Sequence, residues 1–131
     1  MVVEKALVTA FILPQRRSRY LSLLETQKGR EKWRLQLAHF AHWDPRFQHP
    51  IEPSQSHADA IWKLLRGFGS PEKCYVFSEW DQLDAKEMGL GEALVACIGY
   101  GMGTVLSCIP GRLAFYEGEG PSDRFILRRR D

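Results

Sequence analysis

The sequence is short of the features by which small proteins usually declare their chemistry. It has three cysteines, Cys74, Cys97 and Cys108, widely spaced and without a Cys-x-x-Cys pair. An odd, scattered set argues against a disulfide framework or a cysteine-rich zinc motif and points to reduced thiols in a cytoplasmic protein. The most apolar segment offers only eight mostly apolar residues between Lys5 and Pro14, against the roughly 20 that a spanning helix needs. That segment also lacks a small-residue cleavage site, so it is read as part of the folded domain, with no membrane association. No internal repeat, low-complexity tract or linker divides the 131 residues, and residues 1–131 are expected to form one globular domain. A net charge of +2 is too small to imply a nucleic-acid partner by itself.

The segments that remain suggest an α+β or α/β domain. "KALVTAFIL" (5–13) has the β-branched and apolar content of a strand buried on both faces. "QRRSRYLSLLET" reads as a helix with Tyr20, Leu21, Leu23 and Leu24 inward, and Gly29 as a bend before the next. Residues 30–43 carry Trp33, Leu37, Phe40 and Ala41 at helical spacing, with His39 and His42 on the opposite side, and Asp44-Pro45 is expected to stop that helix. A proline-rich loop, "PRFQHPIEPSQ", leads to a helix capped by Ser56, with Ile61, Leu64, Leu65 and Phe68 buried. "KCYVFSEW" (73–80) reads as a strand and "LGEALVACIGYG" as a short helix. The last third is a β-meander: Pro110-Gly111 suits the centre of a type II turn between two strands, and "RFILRR" supplies another. The expected order is β-α-α-α-β-α-β-β-β, a mixed sheet of about five strands.

Charge is distributed unevenly. Residues 14–46 carry a net +5, residues 76–123 a net −6, and "RFILRRRD" a net +3. Arg16, Arg17, Arg19, Arg30 and Arg34 fall on two consecutive helices with Tyr20 and Trp33 among them, and arginine clusters suit phosphate bidentately. No nucleic-acid-binding signature accompanies them, and the opposing charges can instead meet inside the fold. The terminal "RRR" on an edge strand reads as protection against aggregation, or as an edge that pairs with a second copy.

Catalytic signals are sparse. "GYGMGT" (99–104) has glycines after a helix and before a strand, the reverse of a dinucleotide loop, and reads as a helix C-cap. His39 and His42, with Asp44 or His49, form a metal alternative, but the i, i+4 histidines with an intervening glutamate are missing. Cys108 or Ser107 at a strand end is an address for a nucleophile, yet Cys108 shares its face with Leu106 and fits a core thiol. Glu79, Asp81, Asp84 and Glu87 crowd the end of a strand, where carboxylates serve acid–base work or simply face solvent. No cofactor signature is present.

The reading that follows is a non-enzymatic binding or interaction module, using the basic helical surface of residues 16–34 for an anionic partner, a nucleic acid or self-association as a homodimer through the sheet edge. The alternative is a small hydrolase-like or metal-dependent enzyme, its site between the 39–50 loop and the 79–87 acidic strand end, with His42, His49, Glu79, Asp81 and Cys108 as its catalytic candidates.

Overall fold

In the computed structural model, which describes residues 2–130, a six-stranded sheet is covered by helices on both faces. Three helices come first: α1 (Val2–Phe11), α2 (Arg17–Leu23) and α3 (Gln27–Arg34). Then follow β1 (Gln48–Pro50), α4 (Ala58–Gly67), β2 (Lys73–Ser78), β3 (Glu87–Gly89), α5 (Leu90–Cys97), β4 (Thr104–Ile109), β5 (Leu113–Glu117) and β6 (Arg124–Arg128). The strands lie in the order β1-β6-β5-β4-β2-β3, and every neighbouring pair is antiparallel. The fold is therefore α+β. The sheet has one strand more than the sequence suggests and none of the parallel pairing of an α/β or mixed sheet.

The pleat sorts the strands between two cores. On β5, Ala114 and Tyr116 join Leu7, Phe11, Trp33 and Leu37 under α1–α3, while Leu113 and Phe115 join Ile61, Leu65, Leu90 and Leu94 under α4 and α5. On β2, Phe77 goes to the first core and Cys74 and Val76 to the second. Alternate residues point to opposite faces of a strand, so both sets can be buried at once only when both faces are covered. The near-continuous apolar runs of β4 and β5 express that double burial.

Residues 5–13 are the main departure from expectation: they belong to a helix rather than a strand. Of the five buried residues of α1, Glu4, Leu7, Val8 and Phe11 recur at the i, i+3, i+4 and i+7 spacing of a helix face, with Ala10 beside them. A short apolar run fits either element by composition, and here the period decides. The 30–43 helix is also shorter than expected. It ends at Arg34, passes through a single turn at Leu37–His39, and Trp43 then forms an isolated antiparallel bridge with Ile12. Trp33 and Leu37 stay in the core, but Ala41 is exposed and His42 packs edge-on to Tyr20. Gly29 lies in the first turn of α3 and not between helices; a Cβ there would sit 2.3 Å from the Leu23 carbonyl oxygen, so glycine permits the close crossing of α3 over α2. Thr26 caps α3 by accepting from Gly29 N, and His57, not Ser56, caps α4.

Charged groups are buried on each face. Under α1–α3, the Glu4 carboxylate accepts from Arg30 Nε at 3.0 Å, Arg30 Nη2 at 2.8 Å and the Tyr75 hydroxyl. Arg30 also donates to both oxygens of Asp84, at 2.8 and 3.0 Å, and lies 4.9 Å from the Phe77 ring centroid. Burial opposes the guanidinium charge, but Glu4 and Asp84 more than offset it and raise its pKa. On the other face Arg124 holds Glu117 through Nε and Nη2 and reaches Ser56, while Glu117 accepts from Gly99 N.

Replacing Arg30 by methionine leaves Glu4, 1% exposed, without its counter-charge. The expected loss is about 3 kcal/mol, the lower end of what removing one partner of a buried pair costs, because Arg30 keeps some solvent contact. Urea unfolding checks this; a loss under about 1 kcal/mol would show the network to be energetically idle.

Candidate functional site

The five arginines of the basic helical surface separate into two groups. Arg30 and Arg34 face inward, against the acidic segment. Arg34 pairs with Glu31 at 2.6 Å and with Asp81 at 2.8 Å, and donates to the carbonyls of Ser78 and Glu79 at 3.0 Å. Both are structural connections, so the expected charge complementarity between the two segments is realised through them. Arg17 turns toward α1 and donates from Nε to the Ile12 carbonyl at 2.9 Å. Arg16 and Arg19 have no acidic partner among the described residues and open into a cleft of about 480 Å³.

Local geometry builds that cleft from two strips of chain. Pro14 ends the α1 segment and starts the single turn Pro14–Arg16, which places Arg16 one helical turn from Arg19 and Tyr20. The other wall, residues 36–42, is tied down at its far end by Leu13 N donating to the His42 carbonyl at 3.0 Å. Gln36 brings further donors and Phe40 an aromatic floor, His39 stands at the edge with its Nδ1 on Glu119, and among the described residues no carboxylate lines the cleft. His42 rests between Tyr20 and Phe40, with ring centroids 6.0 and 5.7 Å away. Its Nδ1 is shut off from solvent without a hydrogen-bond partner. Burial, followed by the positive charges of Arg16 and Arg19, holds its pKa below the ordinary histidine value. Only the arginine part of that shift bears on a ligand: the positive potential of Arg16 and Arg19 that disfavours a proton also favours an anion, whereas burial disfavours a charge of either sign.

The remaining candidates do not converge. His39 pairs with exposed Glu119 at 3.0 Å, while Asp44 is buried and taken by Arg46, whose Nη2 lies 2.7 Å away. Among the described residues no group of three His, Cys, Asp or Glu is placed to hold a metal ion, so the His39–His42–Asp44 set does not assemble. His49 lies on β1 with its ring 5.2 Å from Phe68, beside arginines rather than acids. Glu79 spends its two oxygens on the backbone amides of Ala38 and Gly103, both at 3.0 Å. That is a brace between the 37–39 turn and β4. Asp81 is exposed and salt-bridged to Arg34. Neither His42 nor His49 shares its cleft with Glu79 or Asp81.

A larger concavity, about 810 Å³ between Pro45 and Phe125, has one charged side chain among its lining residues, Arg124. That guanidinium is already committed to Glu117 and Ser56. Gln36 is the cleft residue that sequence reading does not single out; nothing in its surroundings along the chain marks it.

All three cysteines are buried in the second core. Burial pushes the Cys108 thiol up to about 11 and the Cys97 thiol to about 12, and raises Cys74 as well. A thiol so held is protonated at neutral pH and a poor nucleophile. Compared with protein-family models, with curated proteins and with solved structures, the chain matches none.

Two measurements follow from these environments. The thiols should resist an aromatic disulfide reagent at neutral pH until denaturant is added, then react together; one fast thiol in the native protein would contradict the burial. His42 has a folded pKa below 6.5, so below that pH the unfolded chain binds a proton that the native one does not. Stability is then lost as pH falls from 6.5 through the depressed pKa. His42→Asn should flatten this part of the stability profile; an unchanged slope would locate the effect elsewhere.

Proposed function

We propose that this chain is a non-enzymatic binding module for an anionic partner, and that the Arg16–Arg19–His42 cleft is its recognition site. The observation that carries the reading is that, among the described residues, Arg16 and Arg19 are left without acidic partners in a cleft that no carboxylate lines, while Arg30 and Arg34 are spent inside the fold. Guanidinium forks converging with a histidine and an amide suit phosphate or carboxylate oxygens. Tyr20 and Phe40 are packed against Trp33, at 5.0 and 5.7 Å between centroids, so they shape the cleft and are not spare platforms for stacking. Acid–base or metal chemistry is less well supported, since the acids that it needs are engaged as braces and salt bridges away from the histidines. Self-association through a sheet edge also has little support: β1 and β3 are three residues long and β1 ends at Pro50, features that protect edges.

The test uses inorganic phosphate as probe. Histidine ring resonances followed by NMR should show the His42 pKa rising as phosphate binds, because the anion offsets Arg16 and Arg19. Arg16→Gln/Arg19→Gln should weaken phosphate binding by about tenfold or more, as expected for two charge-assisted contacts, and leave stability within about 0.5 kcal/mol. Unchanged phosphate affinity in the double variant would refute this site.

A further inference from the structure

A second arginine-lined surface closes the end of the sheet where the last residues of β6 pair with the start of β5, beside the β4–β5 turn. Two adjoining clefts of about 410 and 350 Å³ lie there, with Arg128 and Arg130 lining both. Arg112 and Phe68 complete the first, Arg46 and His49 the second, and neither is lined by a carboxylate among the described residues. Arg128 is half-buried, with its guanidinium carbon 3.9 Å from the Phe68 ring centroid. Its donors make no hydrogen bond to any described residue, and neither do the side-chain donors of Arg112. A stacked guanidinium has lost its conformational freedom but kept its donors, which is the preorganised state for gripping an oxyanion. Next to it Arg129 lies over Phe47 at 4.4 Å and donates to the Ala10 carbonyl, joining this surface to the end of α1.

We propose that this sheet end is a phosphate-backbone contact site for double-stranded nucleic acid. Several observations favour that partner. The cations are arginines, whose planar forks fit phosphate oxygens, and they repeat across adjoining clefts as a backbone repeats its phosphates. Phe68 and Phe47 already carry arginines, so no ring is free to stack an unpaired base, and contact is to the backbone. None of the exposed large apolar residues, Val2, Leu35, Trp62, Val95 and Tyr100, lines either cleft; an apolar peptide anchor or a membrane insertion has no seat. If the first cleft binds as proposed above, the same duplex reaches it. His42 and Arg46 are four residues apart, a reach of at most about 14 Å, which about four nucleotide steps cover along the axis of a duplex at 3.4 Å of rise each.

The experiment is fluorescence anisotropy with a labelled duplex of about two helical turns, of arbitrary sequence, between about 50 and 200 mM salt. Arg112→Gln/Arg128→Gln/Arg130→Gln should bind at least tenfold more weakly and show a salt slope lower by about one for each phosphate that is no longer neutralised. Arg130→Glu, at an exposed position that needs no repacking, should weaken binding in the same direction if the triple variant folds poorly. Polyglutamate of matching charge should bind at least tenfold more weakly than the duplex. Wild-type affinity in both arginine variants overturns the sheet-end site whatever the first cleft does. Equal affinity for polyglutamate overturns the nucleic-acid assignment. Weaker binding by the sheet-end variants, with none in Arg16→Gln/Arg19→Gln, supports this site while removing the first cleft from the duplex path.

Discussion

Arg30 is the residue around which the first face of the protein is arranged. It reaches Glu4 on α1 and Asp84 in the β2–β3 connection, and stacks on Phe77 from the sheet. Asp84 in turn accepts from Ser78 N, and Glu4 accepts from the Tyr75 hydroxyl. A charge as deeply buried as that of Glu4 is costly unless its partners are supplied. The three-way arrangement therefore fixes where α1, α3 and the acidic connection sit relative to one another. Hydrophobic burial around Trp33 and Phe77 drives the layers together, but the ionic contacts determine one arrangement among several that would bury similar area.

That commitment also sorts the surface. Because Arg30 and Arg34 turn inward to meet the acidic segment, most of the negative charge of residues 79–84 is neutralised on that side. Part of the positive charge that is left gathers elsewhere: on Arg16 and Arg19 along one wall, and on Arg112, Arg128 and Arg130 at the sheet end. A chain of nearly balanced net charge thus acquires one-signed surfaces by pairing some charges internally and leaving others unpaired. Carbonyls at and just past the C-terminal end of α1 are held by arginines, Arg17 on the Ile12 oxygen and Arg129 on the Ala10 oxygen, the sign of charge a helix C-terminus favours.

Legibility in the sequence follows locality. The meander is readable because Pro110-Gly111 defines its own turn, with Gly111 at a φ of 74°, and because β2, β4 and β6 are compact runs bounded by turn residues. The helix in residues 2–11 escapes such a reading because its content resembles a strand; the buried Glu4 at its start, whose partner lies 26 residues away, has no local signal. β1 and β3, three residues each, are strands only because a neighbour pairs with them. At the candidate site, Arg16, Arg19 and His42 are legible as residue types. Which arginines are free is not, since that depends on Asp81 and Asp84 arriving from the far side of the chain. The terminal arginines, which read as guards for an edge, gain another meaning from Phe68, which lies 60 positions before Arg128.

The alternation along β5 makes registry an all-or-nothing property. Ala114 and Tyr116 serve one core, Leu113 and Phe115 the other, and Glu117 faces Arg124 directly across the ladder. A single residue inserted within this strand would exchange the occupants of both cores beyond it and move Glu117 away from its partner. The same insertion in the 118–123 connection would displace nothing but solvent-facing chain at several of its positions. Tolerance to changes in length is therefore confined to the connections: the domain can vary at its rim while its middle strand behaves as a fixed ruler for two hydrophobic interiors.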